Sequence, residues 1–262
     1  MKRLIALLTA FCLVASPALA GWTFITGGSS GGTLGRVTGA TSPMVVTVSA
    51  NVPVGSLIVV PFAIRGNEDI TGCVDSAGNT YARAGAFHQG VSGGAGETIY
   101  YAYATTALTN GSSTISCTEN AANAQNVMLP VAFSGAQSPT ANNYDTNQFA
   151  GSSTGTSVGP LPATGTLGCN STNGNLLVAY MVASNALTLT TESTGFTNQF
   201  TDGGNEASHL AWQVTSTNAT VTYSPTLSQS ASASWVGQIT NFKAASCIAA
   251  TGHNLLTLGV GD

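Results

Sequence analysis

The chain is short of charge. Its 262 residues hold six Lys and Arg against ten Asp and Glu, so only 6% are charged. Two of the six cations, Lys2 and Arg3, stand at the extreme N-terminus. Beyond residue 20, Arg36, Arg65, Arg83 and Lys243 face all ten acids, a net charge of −6. Four scattered cations cannot track a phosphate backbone, so nucleic acid is not an expected partner. The same scarcity argues against an anionic membrane surface. Polar surface must come instead from Ser, Thr, Asn and Gly, the residues of exposed strand faces and turns.

Long hydrophobic runs are also missing. A membrane-spanning helix needs about 20 apolar residues, and the run from Leu4 to Val14 is shorter. With Lys2 and Arg3 before it and Ala18-Leu-Ala20 after it, residues 1–20 read as a secretory signal peptide cleaved near Ala20. The expected mature chain has no membrane span. It is secreted, and ends up extracellular or at a cell surface.

Catalytic spacings are scarce as well. His88, His209 and His253 show neither HxH nor HExxH spacing. No strand–turn–helix serine elbow stands out. Serines are too many for a Ser-His-Asp set to be excluded by counting, but nothing nominates one. Glu97, Glu119, Glu192 and Glu206 could in principle form a glycosidase pair, which needs two carboxylates about 5–10 Å apart. They fall instead at strand edges and turns. The expectation is no catalytic residue, no cofactor and no enzymatic activity.

What the chain does contain is a repeat. Val54-Gly-Ser-Leu-Ile-Val-Val60 returns as Asn173-Gly-Asn-Leu-Leu-Val-Ala179, and Asp75-Ser-Ala-Gly78 as Glu192-Ser-Thr-Gly195. Glu97 to Thr105 is echoed by Ala207 to Thr215, which sets His209 against Ile99. Thr114 to Cys117 matches Thr220 to Tyr223, and Val127 to Phe133 matches Val236 to Phe242. Repetition of short strands is a fold signal, not a catalytic one.

Between turn clusters the strands recur every 8–15 residues, and no stretch after residue 20 keeps a helical period. Ser56 to Ile64 is apolar on both alternating sets, which predicts a central strand covered on both faces. Pro61 within it implies a bulge or an unpaired edge. The expected fold is all-β: a jelly-roll-like β-sandwich of two pseudo-repeated halves, with two tandem small β-sandwiches as the alternative. The expected layout is a Gly/Ser-rich N-terminal segment over 21–43, a sandwich domain over 44–245 (repeats 44–136 and 160–245) and an apolar tail over 246–262. Gln137 to Gly159 reads as a long crossover. The tail could dock in its own sheet or in a neighbouring copy.

Four cysteines remain after the signal segment, which allows three pairings. Export makes disulfides plausible, and the repeat favours Cys73–Cys117 and Cys169–Cys247. Asp75, Asp202 and Glu206 lie in oxygen-rich loops and are candidate calcium ligands, although turn chemistry explains those loops equally. Tyr101 and Tyr103 share one strand face and Tyr100 the other. One of these sets is expected to be exposed and to face a ligand such as a sugar. Trp212, alternating with Leu210 and Val214, is expected in the core.

Val54 to Val60, Asp75 to Tyr81, Phe133-Ser-Gly-Ala136, Gly174 to Ala179 and Ala233 to Ala244, in that order, resemble a loosely defined group of exported or virion-associated bacterial and phage β-sandwich modules. The resemblance implies a jelly-roll-like sandwich at a surface and brings no catalytic residues. Together these readings predict an exported, non-enzymatic structural or adhesive component of a cell surface, fibre or particle. Its partners would be copies of itself or cell-surface glycans. The alternatives are a carbohydrate-binding module and, after it, a carbohydrate-active hydrolase.

Overall fold

The computed structural model describes residues 21–39, 42–91, 94–121, 123, 125–135, 144–161, 174–202, 207–216 and 219–243, with the backbone alone for 144–154. Residues 1–20, read above as a signal peptide, Cys169 and Cys247 of the expected second bridge, Glu206 and the tail 246–262 lie outside the described residues.

The first half contributes β1 (Thr23–Ile25), β2 (Val37–Gly39), β3 (Met44–Thr47), β4 (Leu57–Arg65), β5 (Ile70–Asp75), β6 (Tyr81–Arg83), β7 (His88–Gln89), β8 (Ala95–Tyr103), β9 (Thr114–Glu119), β10 (Asn126–Met128) and β11 (Val131–Ser134). The second contributes β12 (Tyr144–Val158), β13 (Asn175–Ala183), β14 (Leu187–Thr191), β15 (Thr197–Thr201), β16 (Ala207–Thr215) and β17 (Thr226–Lys243). Every pairing is antiparallel, and the described residues contain no α-helix. Among them no helix is long and apolar enough to cross a membrane.

In the first half β4 is central. It pairs with β8 on one side and with β10 and β11 on the other. β1 and β2 flank β11 and β10, and β6 and β7 flank β8. A second sheet, β3-β9-β5, covers one face. The second half repeats the order as β12-β17-β13-β16-β15, with β14 on the early part of β17. The protein is therefore an all-β sandwich: the first half has two sheets, and the second is one continuous sheet whose β14 and early β17 pack against β13 around a core of their own.

The alternation within β4 explains how the halves join. Ile58, Val60, Phe62 and Ile64 point into the first half's own core with Met44, Val46, Ile70 and Ile115. Leu57, Val59 and Ala63 point the other way and meet Leu176, Val178, Tyr180 and Val182 of β13. The odd positions of β13 (Leu177, Ala179, Met181) then fill the second half's own core with Tyr223, Leu227 and Ile239. Both central strands are thus buried on both faces, as their unbroken apolar runs require. The one-body and two-sandwich readings meet here, because two sandwiches share a third core between them.

Four expectations change. The segment 21–43 is not a loose lead-in: Trp22, Thr33 and Leu34 are buried, and β1 and β2 are edge strands of the first large sheet. The crossover 137–159 contains β12, the matching edge strand of the second half, so both repeats begin earlier than the motifs suggest. The strand that pairs with β14 is Thr226 to Gln229, so this stretch, not Thr220 to Tyr223, is the counterpart of β9.

The fourth change concerns His209. Leu57 pairs with Tyr103 and Leu176 with Val214, so Ile99 corresponds to Leu210 and Thr98 to His209. A shift of one residue moves a side chain to the opposite face. His209 therefore points into the second half's own core, away from the seam. Pro61 does coincide with an interruption: the ladder beside it breaks between β10 and β11, where Pro130 stands.

Candidate functional site

The densest group of chemically capable side chains lies in the second half, around His209. The side chain is wholly buried on the face of β16 that also carries Ala207 and Ala211. Its Nδ1 is 2.8 Å from the Thr201 hydroxyl on β15. Its Nε2 is 2.5 Å from the Tyr223 hydroxyl and 3.1 Å from Oε2 of Glu192, which follows β14. Tyr223 donates to Oε1 of Glu192 at 2.9 Å, and the Ser193 amide donates to the same oxygen at 2.7 Å. Phe196 packs edge-on against the Tyr223 ring.

Burial alone would raise the Glu192 carboxyl. The hydrogen bond from His209, the Ser193 amide, the charge of His209 and the Tyr223 hydroxyl together bring it below the ordinary value. Burial and the adjacent Glu192 carboxylate push the Tyr223 phenol up. Chemically, the group can hold a proton shared among imidazole, phenol and carboxyl. Both imidazole nitrogens are already engaged inside the core, so the ring ties β15, β16 and the turn after β14 together.

The first half uses the corresponding acid in the same way. Asp75 ends β5, and its Oδ1 accepts from the Ala77 and Asn79 amides at 3.0 Å each. Its Oδ2 accepts from Asn79 Nδ2 at 2.9 Å and from the Tyr81 hydroxyl at 3.0 Å. Asn79 Oδ1 in turn accepts from the Thr105 and Thr106 amides. Gly78 and Gly195 close the two turns with φ of 80° and 85°. The oxygens of Asp75 are filled by turn donors, which is the turn reading of that loop and not the calcium one. Asp202 is paired with Arg36, whose guanidinium lies over the Phe200 ring. Among the described residues no three His, Cys, Asp or Glu side chains gather as a metal-binding group.

A carboxylate pair stands at the far end of the first half. Asn126 Nδ2 donates to Glu119 at 2.8 Å and to Glu68 at 3.0 Å, and Asn123 donates to Glu68 at 3.2 Å. Burial and the Glu68 charge raise the Glu119 carboxyl, against the lowering effect of Asn126. The amides hold the two acids on the β9 and β10 ends. Sequence reading named Glu119 but missed Glu68, Tyr223 and Thr201, because no local pattern marks contacts made across strands.

The aromatic candidates are all interior. Tyr100 donates to the Ile70 carbonyl at 2.7 Å and accepts from Arg83, which also binds Asp69. Tyr101 and Tyr103 pack edge-on against each other in the core between the halves, where Tyr101 also meets Phe242. The expected exposed face does not exist, because both faces of β8 are covered. Trp212 is partly buried, stacked on Phe24 and edge-on to Phe133. Cys73 and Cys117 face each other across β5 and β9 as a disulfide.

The spelling G-x-S-x-G does occur, at Gly27–Gly31, Gly28–Gly32, Gly90–Gly94 and Gly151–Gly155. The first two lie in a turn and the last inside β12. The third is only partly described, and β8 follows it. No α-helix follows any of them among the described residues, so none has the elbow context. An open groove of about 360 Å³ runs beside Gly35, Arg36, Val45 and Thr47. No family model, no curated protein and no solved structure matches the chain.

Proposed function

We propose that the chain is an exported, non-enzymatic β-sandwich protein that serves as a structural or adhesive component of a cell surface, extracellular fibre or particle. The observation that carries this reading is the matched use of Asp75 and Glu192. At the same turn of each half, the acid best placed for chemistry binds backbone amides and a tyrosine hydroxyl of its own fold. Such groups build a scaffold. The low charge of the chain supports close approach of copies, since little repulsion opposes it. The wholly antiparallel pairing, with strands packed on both faces of β4 and β13, supports the jelly-roll-like reading.

The test is fractionation of the native source with an antibody to the mature chain. Enrichment with washed cells, fibres or sedimenting particles is expected. A monomer found only in the clarified medium would overturn the proposal.

A further inference from the structure

Glu97 lies on the seam between the halves. It sits on the face of β8 that carries Ile99, Tyr101 and Tyr103, toward the large sheet of the second half. The side chain is fully buried, and among the described residues neither carboxyl oxygen has a hydrogen-bond partner. On β4 its neighbour is Ala63, and Arg65, at the end of that face, pairs with neither oxygen. On β7 its cross-strand partner is His88, whose Nε2 is also buried and unpartnered. From β13 the Tyr180 phenol, beside Ser208 of β16, is close enough to feel the Glu97 charge. β17 brings Val236 to the seam, with Gln238 and Thr240 on the same strand face bonded to each other, and none of these carries a charge that could neutralise it. Arg36 and Asp202, the other charges felt at Tyr180, are already paired with each other.

We propose that Glu97 is a proton latch: the two large sheets pack together while its carboxyl is uncharged, and loss of that proton drives them apart. An ionised carboxylate with neither a counter-ion nor a donor is not tolerated in an apolar seam. Burial raises the Glu97 carboxyl well above its ordinary range, which agrees. The sign follows from linkage. An opened seam returns Glu97 to the ordinary value of 4.5, so opening releases a proton and becomes easier as pH rises toward the folded-state value. His88 works in the other direction. Burial lowers its imidazole below 6.5, so acid favours opening at that side chain. The closed seam is therefore favoured in a window between the two.

Amide protection factors of the full chain, corrected for intrinsic exchange, test this from about pH 5 to about pH 9. On the alkaline side, protection of β8 and β13 is expected to fall about tenfold per pH unit, one proton per opening. The outer sheet strands β3, β5 and β9 are expected to hold. In Glu97→Gln the alkaline fall disappears; Glu97→Leu is the second variant if the amide misfolds. Flat wild-type protection in β8 and β13, or a variant that keeps the wild-type slope, would overturn the latch.

Discussion

The two halves reach one strand order by different means. In the first, the edge and its neighbour are broken into short pieces: β1 and β2, then β10 and β11. In the second, β12 and β17 run for 15 and 18 residues, with register shifts in the β12 pairing and at β14. The reason is local. Pro61 and Pro130 cannot donate ladder bonds, and their counterparts by register are Tyr180 and Ile239, which can. The break in the first edge frees residues 26–36 to reach the second half, where Gly31 lies against Gln199 and Arg36 pairs with Asp202. Segmentation in one half thus supplies a clamp on the other, and the unbroken half supplies the surface that is clamped.

The comparison is most directly broken at Phe133 and Phe242, which pair with Leu57 and Leu176 at matching positions and are both buried. Each Phe→Ala change is expected to cost about 3–5 kcal/mol in urea denaturation. A loss under about 1 kcal/mol at either site would undo the equivalence. Next comes the disulfide, which crosslinks β5 and β9, whereas Leu189 and Leu227 hold the comparable pair in the second half. Replacing Cys73 and Cys117 together with Ala is expected to cost about 2–4 kcal/mol, read from the denaturation midpoint.

The two acidic turns test each half in its own way. Asp75→Ala removes the acceptor of four hydrogen bonds and is expected to cost about 2–3 kcal/mol, while Asp75→Asn keeps part of that. Glu192 is held below its ordinary value of 4.5, so its contribution is present above that value and is lost as pH falls through the lower folded-state value. Glu192→Gln is expected to flatten the acid limb of a stability–pH profile. An unchanged limb would show that His209 does not depend on this carboxylate. The smallest effects belong to the turn glycines. Gly78→Ala meets open space and is expected to cost about 1 kcal/mol for its positive φ alone. Gly195→Ala would also displace the Gln213 side chain, 2.5 Å from the added carbon, and should cost slightly more in the same assay.

Much of the fold was legible before any coordinates. The doubled apolar pattern of Ser56 to Ile64 marked a strand covered on both sides, the repeat marked two like halves, and the cysteine positions marked the Cys73–Cys117 bridge. The site was legible only in part. Asp75 and Glu192 were visible as repeated turn acids, but their partners Tyr81, Tyr223, Thr201 and His209 come from other strands. The repeat alignment set His209 one residue out of register. In a strand one residue of register reverses the face, so that alignment would turn the residue most involved in the second half's network toward the seam.

By itself, the order of apolar and turn residues determined that this chain forms β-strands in two similar sets, because alternation and turn chemistry act over a few neighbouring residues. The tertiary structure alone decided that the sets dock through their large sheets, that Tyr100, Tyr101 and Tyr103 lie inside, and that Glu97 is enclosed with no hydrogen-bond partner among the described residues. Those outcomes depend on which of two apolar faces finds another face to cover it, and that is settled by packing between residues more than a hundred positions apart.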